Sequence, residues 1–189
     1  MKKKILSLIV GAVVGFTSLS TAAFASTSTV SSEKPQIMTA EQIEISNKFL
    51  AAHPELAKTS STGARLMSSN GPAPKLTNYY PLVVAKNYNS SSHTYSDYEA
   101  VSNGCTTSHD FNGTIYVATV EVGYGRETTT FNGNNVKIFD TVLLDTNSDG
   151  AVDKFIDVWK ITNVTSGTFF STSVSTNGTG KYSAKVIIK

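Results

Sequence analysis

The sequence predicts an all-β domain, an antiparallel β-sandwich or small barrel, preceded by a flexible N-terminal segment with one short helix. From Leu76 onward, Val, Ile, Thr, Tyr and Phe dominate runs of strand length. Four Asn-Gly pairs, a dipeptide that favours the positive φ angles of tight hairpin turns, lie between or beside these runs. Seven runs over about 110 residues have the spacing of a sandwich or small barrel.

The first 25 residues have the pattern of a secretory signal peptide. Three lysines at positions 2 to 4 precede an apolar stretch over residues 5–16, and Ala23 and Ala25 form a small-x-small cleavage site. The apolar stretch is shorter than the ~20 residues that a membrane-spanning helix needs. We therefore expect a secreted, extracellular protein with no stable membrane insertion.

A Ser/Thr-rich linker or pro-segment is expected over residues 26–75, and the secreted β domain over residues 76–189. Within the linker, Thr39 and Gln42 form a capping box that begins a helix near residues 40–53. This helix has too little apolar surface to stand alone. The sequence leaves open whether the segment docks on the later domain, is removed as a pro-segment or tethers the domain to the cell envelope.

We expect seven strands in the β domain, at residues 80–88, 114–124, 127–131, 136–145, 154–162, 167–174 and 181–188. Alternation along the second run puts one set of side chains on a face that we expect to form the core, namely Tyr116, Ala118, Val120, Val122 and Tyr124. In the fifth run, alternation places Asp157 beside Phe155 and Trp159. A carboxylate among apolar neighbours needs a partner, and a metal ion or Arg126 could supply it.

The charge distribution argues against a nucleic-acid partner. Of the 16 Lys and Arg residues, three lie in the signal peptide, so the mature protein has 13 basic against 14 acidic residues. Arg65 and Arg126 are the only arginines and the lysines are scattered, whereas nucleic-acid binding requires clustered basic side chains. Cys105 is the single cysteine, so it has no intrachain disulfide partner and is a candidate for a dimer contact.

A D-x-N-x-D-G-x-x-D run over residues 145–153 predicts a structural calcium loop. Calcium takes six to eight oxygen ligands at flexible geometry, and side chains at alternate positions around a turn can supply them. Gly150 supplies the sharp bend. Strands rather than helices flank the loop, and position 12 is Ile156 rather than glutamate, so it is not an EF-hand. The alternative is a turn built from local Asp and Asn hydrogen bonds. The predicted ligands are Asp145, Asn147, Asp149, the Ala151 carbonyl and Asp153.

Two further groups are candidates for ligand binding. In residues 121–126 two glycines bracket an aromatic residue at a strand end, so Glu121, Tyr124 and Arg126 form a candidate polar cluster, with a structural Glu–Arg pair as the alternative. Tyr95 and Tyr98 belong to a tyrosine-rich segment whose composition suits sugar or protein contacts, although some of these tyrosines are expected in the core.

A Ser/Thr-rich stretch ending in His109-Asp110 is followed by Phe111-Asn112-Gly113, a strand, the sequence E-V-G-Y-G and later an acidic loop. This order resembles the YolA-like family of small secreted bacterial proteins, a domain of unknown function. The resemblance covers about residues 76–165. It implies secretion and a single small domain, without adding catalytic residues.

The leading functional hypothesis is a secreted, calcium-stabilised β domain that binds an extracellular glycan or protein surface. Its site would be the tyrosine-rich segment together with residues 121–126. One alternative is a small hydrolase that uses carboxylates for general acid and base catalysis, Glu121 with Asp110 or Asp157. The other is a structural secreted protein that self-associates through Cys105 or its sheet edges.

Overall fold

The computed structural model of the chain describes residues 34–57 and 72–189. The predicted signal peptide and much of the predicted linker lie outside these ranges. In the described part of the chain, no helix is long and apolar enough to cross a membrane.

Two five-stranded sheets pack face to face and confirm the predicted β-sandwich. Sheet A is antiparallel and has the order β2-β1-β4-β8-β7. Its strands are β1 (Asn78–Asn89), β2 (Thr94–Ala100), β4 (Gly113–Val122), β7 (Ile138–Leu144) and β8 (Lys154–Val164). Sheet B has the order β3-β10-β9-β5-β6, with β3 parallel to β10 and all other pairs antiparallel. Its strands are β3 (Cys105–Thr106), β5 (Gly125–Phe131), β6 (Asn134–Val136), β9 (Gly167–Ser175) and β10 (Lys181–Ile188).

The described residues form ten strands where the sequence predicted seven. The run expected over residues 136–145 is two strands, because the chain crosses from sheet B to sheet A at Lys137. Neither β2 nor β3 was expected, since β2 contains Ser, Asp and Glu and β3 has only two residues. The seven expected runs otherwise fall on the observed strands.

The inter-sheet core is apolar at one end and polar at the other. Buried side chains of β1, β4 and β8 meet those of β9 and β10, and the group comprises Val84, Phe111, Ile115, Val117, Trp159, Ile161, Val164, Phe169, Val186 and Ile188. Farther along the same strands the facing residues are polar. The buried members of this polar end include Thr119, Glu121, Asp157, Ser171 and Ser173.

Helix α1 (Ala40–Ala52) covers part of the outer face of sheet A, and a second short helix, α2 (Pro54–Ala57), follows it. The predicted capping box is present: Thr39 Oγ1 accepts from the Gln42 amide, and the Gln42 side chain accepts from the Thr39 amide at 2.8 Å. Phe49 and Leu56 pack on apolar residues of β1, β4, β7 and β8. The helix is therefore docked on sheet A, and the pro-segment and the tether stay predictions.

The expectation for the faces of β4 was wrong in one respect. Ala118 and Val120 are buried, but they pack under α1 instead of facing sheet B. The residues that face sheet B are the other set, including Val117, Thr119 and Glu121. Both faces of β4 are covered. Its alternating side chains therefore point into two buried layers, and neither set faces solvent.

Candidate functional site

The structure separates the five predicted ligand-binding residues into three places. Glu121 and Tyr124 are buried, each with about 5% or less of its surface exposed. Arg126 is exposed on the outer face of sheet B, because its neighbour Glu127 points inward. Tyr95 and Tyr98 lie in β2, at the edge of sheet A. No ion pair joins Glu121 to Arg126, so the structural pair considered as the alternative is absent from the described residues.

A groove with a volume of about 520 Å³ lies between α1 and the β1–β2 hairpin. One wall comes from α1 and the other from the hairpin and β2. Its lining residues are Ile45, Lys48, Phe49, Ala52, His53, Ser91, Ser92, His93, Thr94, Tyr95 and Tyr98. We call this cavity the α1–β2 groove. A volume of this size, with apolar and aromatic walls and a few polar groups, is typical of small-ligand sites.

The two tyrosines of the groove have different roles. Tyr98 is 56% exposed, so its ring is available to a ligand. Tyr95 is mostly buried and packs on Tyr88, with ring centroids 4.9 Å apart. The Tyr95 hydroxyl is buried without a hydrogen-bond partner among the described residues, so Tyr95 acts as packing for the groove wall.

A histidine held by two polar groups completes the hairpin side of the groove. The Tyr88 hydroxyl donates to Asp140 Oδ2 at 2.6 Å and lies 2.9 Å from His93 Nδ1. His93 Nδ1 is also 3.3 Å from Asp140 Oδ2. A proton on Nδ1 satisfies these contacts and sets the orientation of the ring. His93 and Asp140 were not predicted as site residues, because they belong to a turn and a bulged strand far apart in sequence.

Three carboxyl groups meet at the polar end of the inter-sheet core. Glu121 is fixed by two donors, the Gly125 amide at 2.8 Å from Oε1 and Ser173 Oγ at 2.5 Å from Oε2. Together with Glu127 and Asp157 it lines a cavity of about 320 Å³ between β5 and the edge strand β7. We call these three residues the carboxyl cluster.

Within the carboxyl cluster, Glu127 comes from sheet B and Asp157 from sheet A, and Glu127 Oε1 is buried without a hydrogen-bond partner among the described residues. Burial, followed by the charges of Asp157 and Glu121, raises the pKa of Glu127 to about 9. Burial also raises the pKa of Asp157, to about 6, against the lowering effect of the hydrogen bond from Thr141. Glu127 is therefore the protonated member of the cluster at neutral pH.

The partner expected for Asp157 was wrong. Asp157 accepts from Thr141 Oγ1 at 2.6 Å, and no hydrogen bond or ion pair joins it to Arg126 or to the acidic loop in the described part of the chain. Sequence reasoning missed Glu127, although alternation along β5 with the inward-facing Thr129 places it toward the core. Asp110, the other proposed partner for Glu121, is exposed and precedes the opposite end of β4.

Tyr124 links two backbone segments by hydrogen bonds, and the glycines on either side of it allow other segments to pack closely. The Tyr124 hydroxyl accepts from the Gln36 amide at 2.7 Å and donates to the Val152 carbonyl at 3.2 Å. Gly123 has a φ of +89°, and a Cβ atom there would collide with the Lys75 carbonyl. A Cβ on Gly125 would collide with Ser173 Oγ and Glu121 Oε2. In this segment, other atoms approach the Cα atoms of Gly123 and Gly125 too closely to leave room for a side chain.

The predicted calcium loop is a network of side-chain to backbone hydrogen bonds. Asp145 accepts from the amides of Asp149 and Gly150 at 3.2 and 2.8 Å. Asp153 accepts from the Thr146 amide and hydroxyl at 3.1 and 2.6 Å. Gly150 has a φ of +82°, which confirms the predicted bend. These bonds are those of the alternative interpretation, a turn built by Asp and Asn side chains.

The remaining predicted ligands also lie in this loop. Asn147 Oδ1 accepts from the Asp149 amide at 3.1 Å, and Asp149 Oδ1 accepts from the Ala151 amide at 2.9 Å. Within residues 34–57 and 72–189, no three His, Cys, Asp or Glu side chains are gathered as a metal site requires. A carboxylate has about four acceptor positions, so backbone bonds and a cation can share one group. Calcium binding stays a prediction.

The N-terminal segment is attached to this loop. Ile37 forms an antiparallel bridge with Ala151, supported by bonds of 2.9 Å from the Met38 amide to the Gly150 carbonyl and from the Val152 amide to Gln36. Neither of these two hydrogen bonds uses the Ala151 carbonyl, which is a predicted calcium ligand. The loop therefore holds the strand segment that leads directly into α1.

Cys105 lies in β3 and is half-buried against the inter-sheet core. It is partly exposed, in a strand at the edge of sheet B. The dimer stays a prediction.

The comparisons with known proteins give one match. Residues 71–188 match the family model described as a domain of unknown function, DUF4879. The chain belongs to the DUF4879 family. No curated protein and no solved structure matches it significantly. The DUF4879 match spans all ten strands of the two sheets, and it leaves α1 and α2 outside. The description names no activity, so the resemblance to the YolA-like family stays a prediction.

Proposed function

We propose that this DUF4879 protein is a secreted, calcium-stabilised domain that binds an extracellular glycan in the α1–β2 groove. The observation that carries the proposal is the exposed ring of Tyr98 on the wall of a 520 Å³ groove. An exposed aromatic ring offers an apolar face on which a sugar ring can stack. Polar side chains around it, including Ser92, His93 and Thr94, can hydrogen-bond to sugar hydroxyls.

Secretion belongs to the same proposal. The signal peptide pattern supports it, and a glycan ligand fits an extracellular protein. Recovery of the protein from the medium of an expressing bacterium, with N-terminal sequencing to locate the cleavage site, would test secretion separately from ligand binding.

We expect Tyr98→Ala to weaken glycan binding at least tenfold, or ~1.4 kcal/mol, because the variant removes the stacking platform. The measurement is a glycan array followed by titration calorimetry on any hit. Phe170→Ala is the control, since Phe170 is also an exposed aromatic residue but lies on the other sheet. Unchanged binding by Tyr98→Ala, or an array without hits, would contradict a glycan site and leave a protein surface as the ligand.

Calcium is proposed as a structural ion that stabilises the loop and, through the Ile37–Ala151 bridge, the position of α1. For an ion that binds only the folded state with a Kd of about 0.1 mM, 10 mM calcium raises the free energy of unfolding by about 2.7 kcal/mol. We expect this gain in a thermal melt of the wild type and its loss in Asp149→Ala. Equal melting of the wild type in calcium and in chelator would leave the loop as an ordinary turn.

The carboxyl cluster favours a second candidate function, hydrolysis by a carboxyl pair. Glu127 and Asp157 line the same cavity with pKa values that are far apart, as in carboxyl pairs where one acid polarises the substrate and the other accepts a proton from water. Of the two pairs expected from the sequence, Glu121 with Asp110 or with Asp157, only the second lines this cavity, and Glu127 joins it there. We expect Asp157→Asn to abolish any hydrolysis of a mixed polysaccharide and protein substrate panel, while Asp97→Asn, an exposed control, retains it. Activity that survives Asp157→Asn would exclude the pair.

A further inference from the structure

The two outer faces of the sandwich differ in what covers them. Helix α1 packs on the outer face of sheet A, whereas no described segment packs on the outer face of sheet B. Alternation along β5, β9 and β10 defines the side chains of this second face. They are Arg126, Thr128, Thr130, Phe170, Thr172, Val174, Lys181, Ser183 and Lys185. We call these nine residues the sheet B face.

The sheet B face is basic and has no carboxylate. The five strands of sheet B contain one acid, Glu127, and it points into the sandwich. No acidic residue follows Asp157 in the sequence. Arg126, Lys181 and Lys185 are exposed, and none of them forms an ion pair with another described residue. The acids of the protein are concentrated in sheet A and its loops. Although the net charge of the mature protein is −1, its positive and negative charges are therefore unevenly distributed between the two sheets.

Apolar side chains lie between these basic residues. Phe170 and Val174, 41% and 47% exposed, belong to β9, the middle strand of sheet B. The strand register pairs Val174 with Arg126 on one side and Lys181 on the other, and it pairs Phe170 with Lys185. Directly opposed residues in neighbouring strands are about 5 Å apart, so each apolar side chain has a cation next to it.

We propose that the sheet B face docks on an anionic lipid surface. The cations complement lipid phosphates. Phe170 and Val174 leave water on binding only if the partner offers hydrocarbon as well as charge. A soluble polyanion would use the cations but leave both apolar side chains in water. The docking is peripheral, since the strands present one flat face and the other side of sheet B is the core.

The test is vesicle sedimentation with the protein recovered from the medium of an expressing bacterium. We expect binding to phosphatidylcholine vesicles that contain phosphatidylglycerol, little binding to pure phosphatidylcholine, and weakening with added salt. Neutralising Arg126, Lys181 and Lys185 together to glutamine should weaken binding about 100-fold, at about fivefold for each basic side chain. Phe170→Ser should also weaken binding, and a thermal melt of the variant, run in parallel, checks that the loss does not come from unfolding.

The matched control neutralises three exposed lysines outside the sheet B face, Lys48, Lys86 and Lys160, and so makes the same change in net charge. Binding lost in the first triple variant and kept in the control supports the proposal. Equal loss in both would show a net-charge effect and overturn it. Absence of vesicle binding, with or without binding to soluble polyphosphate, would also overturn it. Tyr98→Ala should bind vesicles normally, so this result is independent of the glycan experiment.

Discussion

Raising the pH from 5 to 8 should lower the free energy of unfolding by about 5 kcal/mol, because folding keeps protons on the carboxyl cluster. In the folded protein the pKa of Glu127 is about 9 and that of Asp157 about 6, against ordinary values of 4.5 and 3.8. Across this range the folded state binds more protons than the unfolded chain. The stabilisation is therefore complete below about pH 4 and is lost as the pH rises toward 9.

The same cluster offers a variant that reverses this loss. Glu127→Gln keeps the shape of the protonated acid and cannot ionise, so at pH 8 we expect it to be more stable than the wild type. Its stability should change less between pH 5 and 8, as measured by urea unfolding at each pH in the presence of chelator. Glu41→Gln, at an exposed position of α1, is the control and should follow the wild type. A wild-type stability that is flat or rises over this range would contradict the protonated state of Glu127.

Gly123→Ala should destabilise the fold by about 2 to 5 kcal/mol. A residue other than glycine at positive φ costs roughly 1–2 kcal/mol, and forcing a methyl group against packed backbone adds about 1–3 kcal/mol. The atoms in the way are the carbonyl of Lys75 and the Cα of Leu76, which are backbone and cannot rotate aside. The change would push the chain before β1 away from the start of β5.

Gly133→Ala is the matched control for this prediction. Gly133 has a φ of +80° in the turn between β5 and β6, and a Cβ atom there meets nothing within 4 Å. We expect it to lose only the conformational part, about 1–2 kcal/mol. The measurement is urea unfolding of both variants. Equal losses would mean that the crowding at Gly123 is relieved by a small shift of residues 75 and 76.

The sequence was sufficient for the features that depend on local chemistry. Thr39 and Gln42 predict the start of α1 because a capping box is a contact between residues three apart. The strand runs predict the sandwich, because β-branched and aromatic residues are favoured on half-buried pleated surfaces. Gly150 predicts the bend in the acidic loop for a similar reason, since only local backbone geometry is involved.

Features that depend on contacts between distant segments were not predictable in this way. The faces of β4 were assigned wrongly because α1, about 70 residues earlier, buries the second face. The grouping of Asp157 with Glu127 was missed because Glu127 belongs to the other sheet and no local pattern links the two. For the same reason Glu121 and Arg126, five residues apart, looked like one site. They are in different sheets, and the chain turns between them at Gly123.

The packing of α1 on sheet A determines what a proteolytic cut would do to this protein. Residues 34–57 are joined to the sandwich covalently only through residues 58–71, and otherwise by packing, hydrogen bonds and the Ile37–Ala151 bridge. While the chain is whole, α1 behaves as an intramolecular ligand at an effective concentration near millimolar. A single proteolytic cut between residues 57 and 72 would make the helix a separate peptide. Dilution would then favour dissociation of this peptide and expose the apolar side chains of Val83, Val120 and Ile156. The remaining fragment would have an exposed apolar patch, which promotes aggregation.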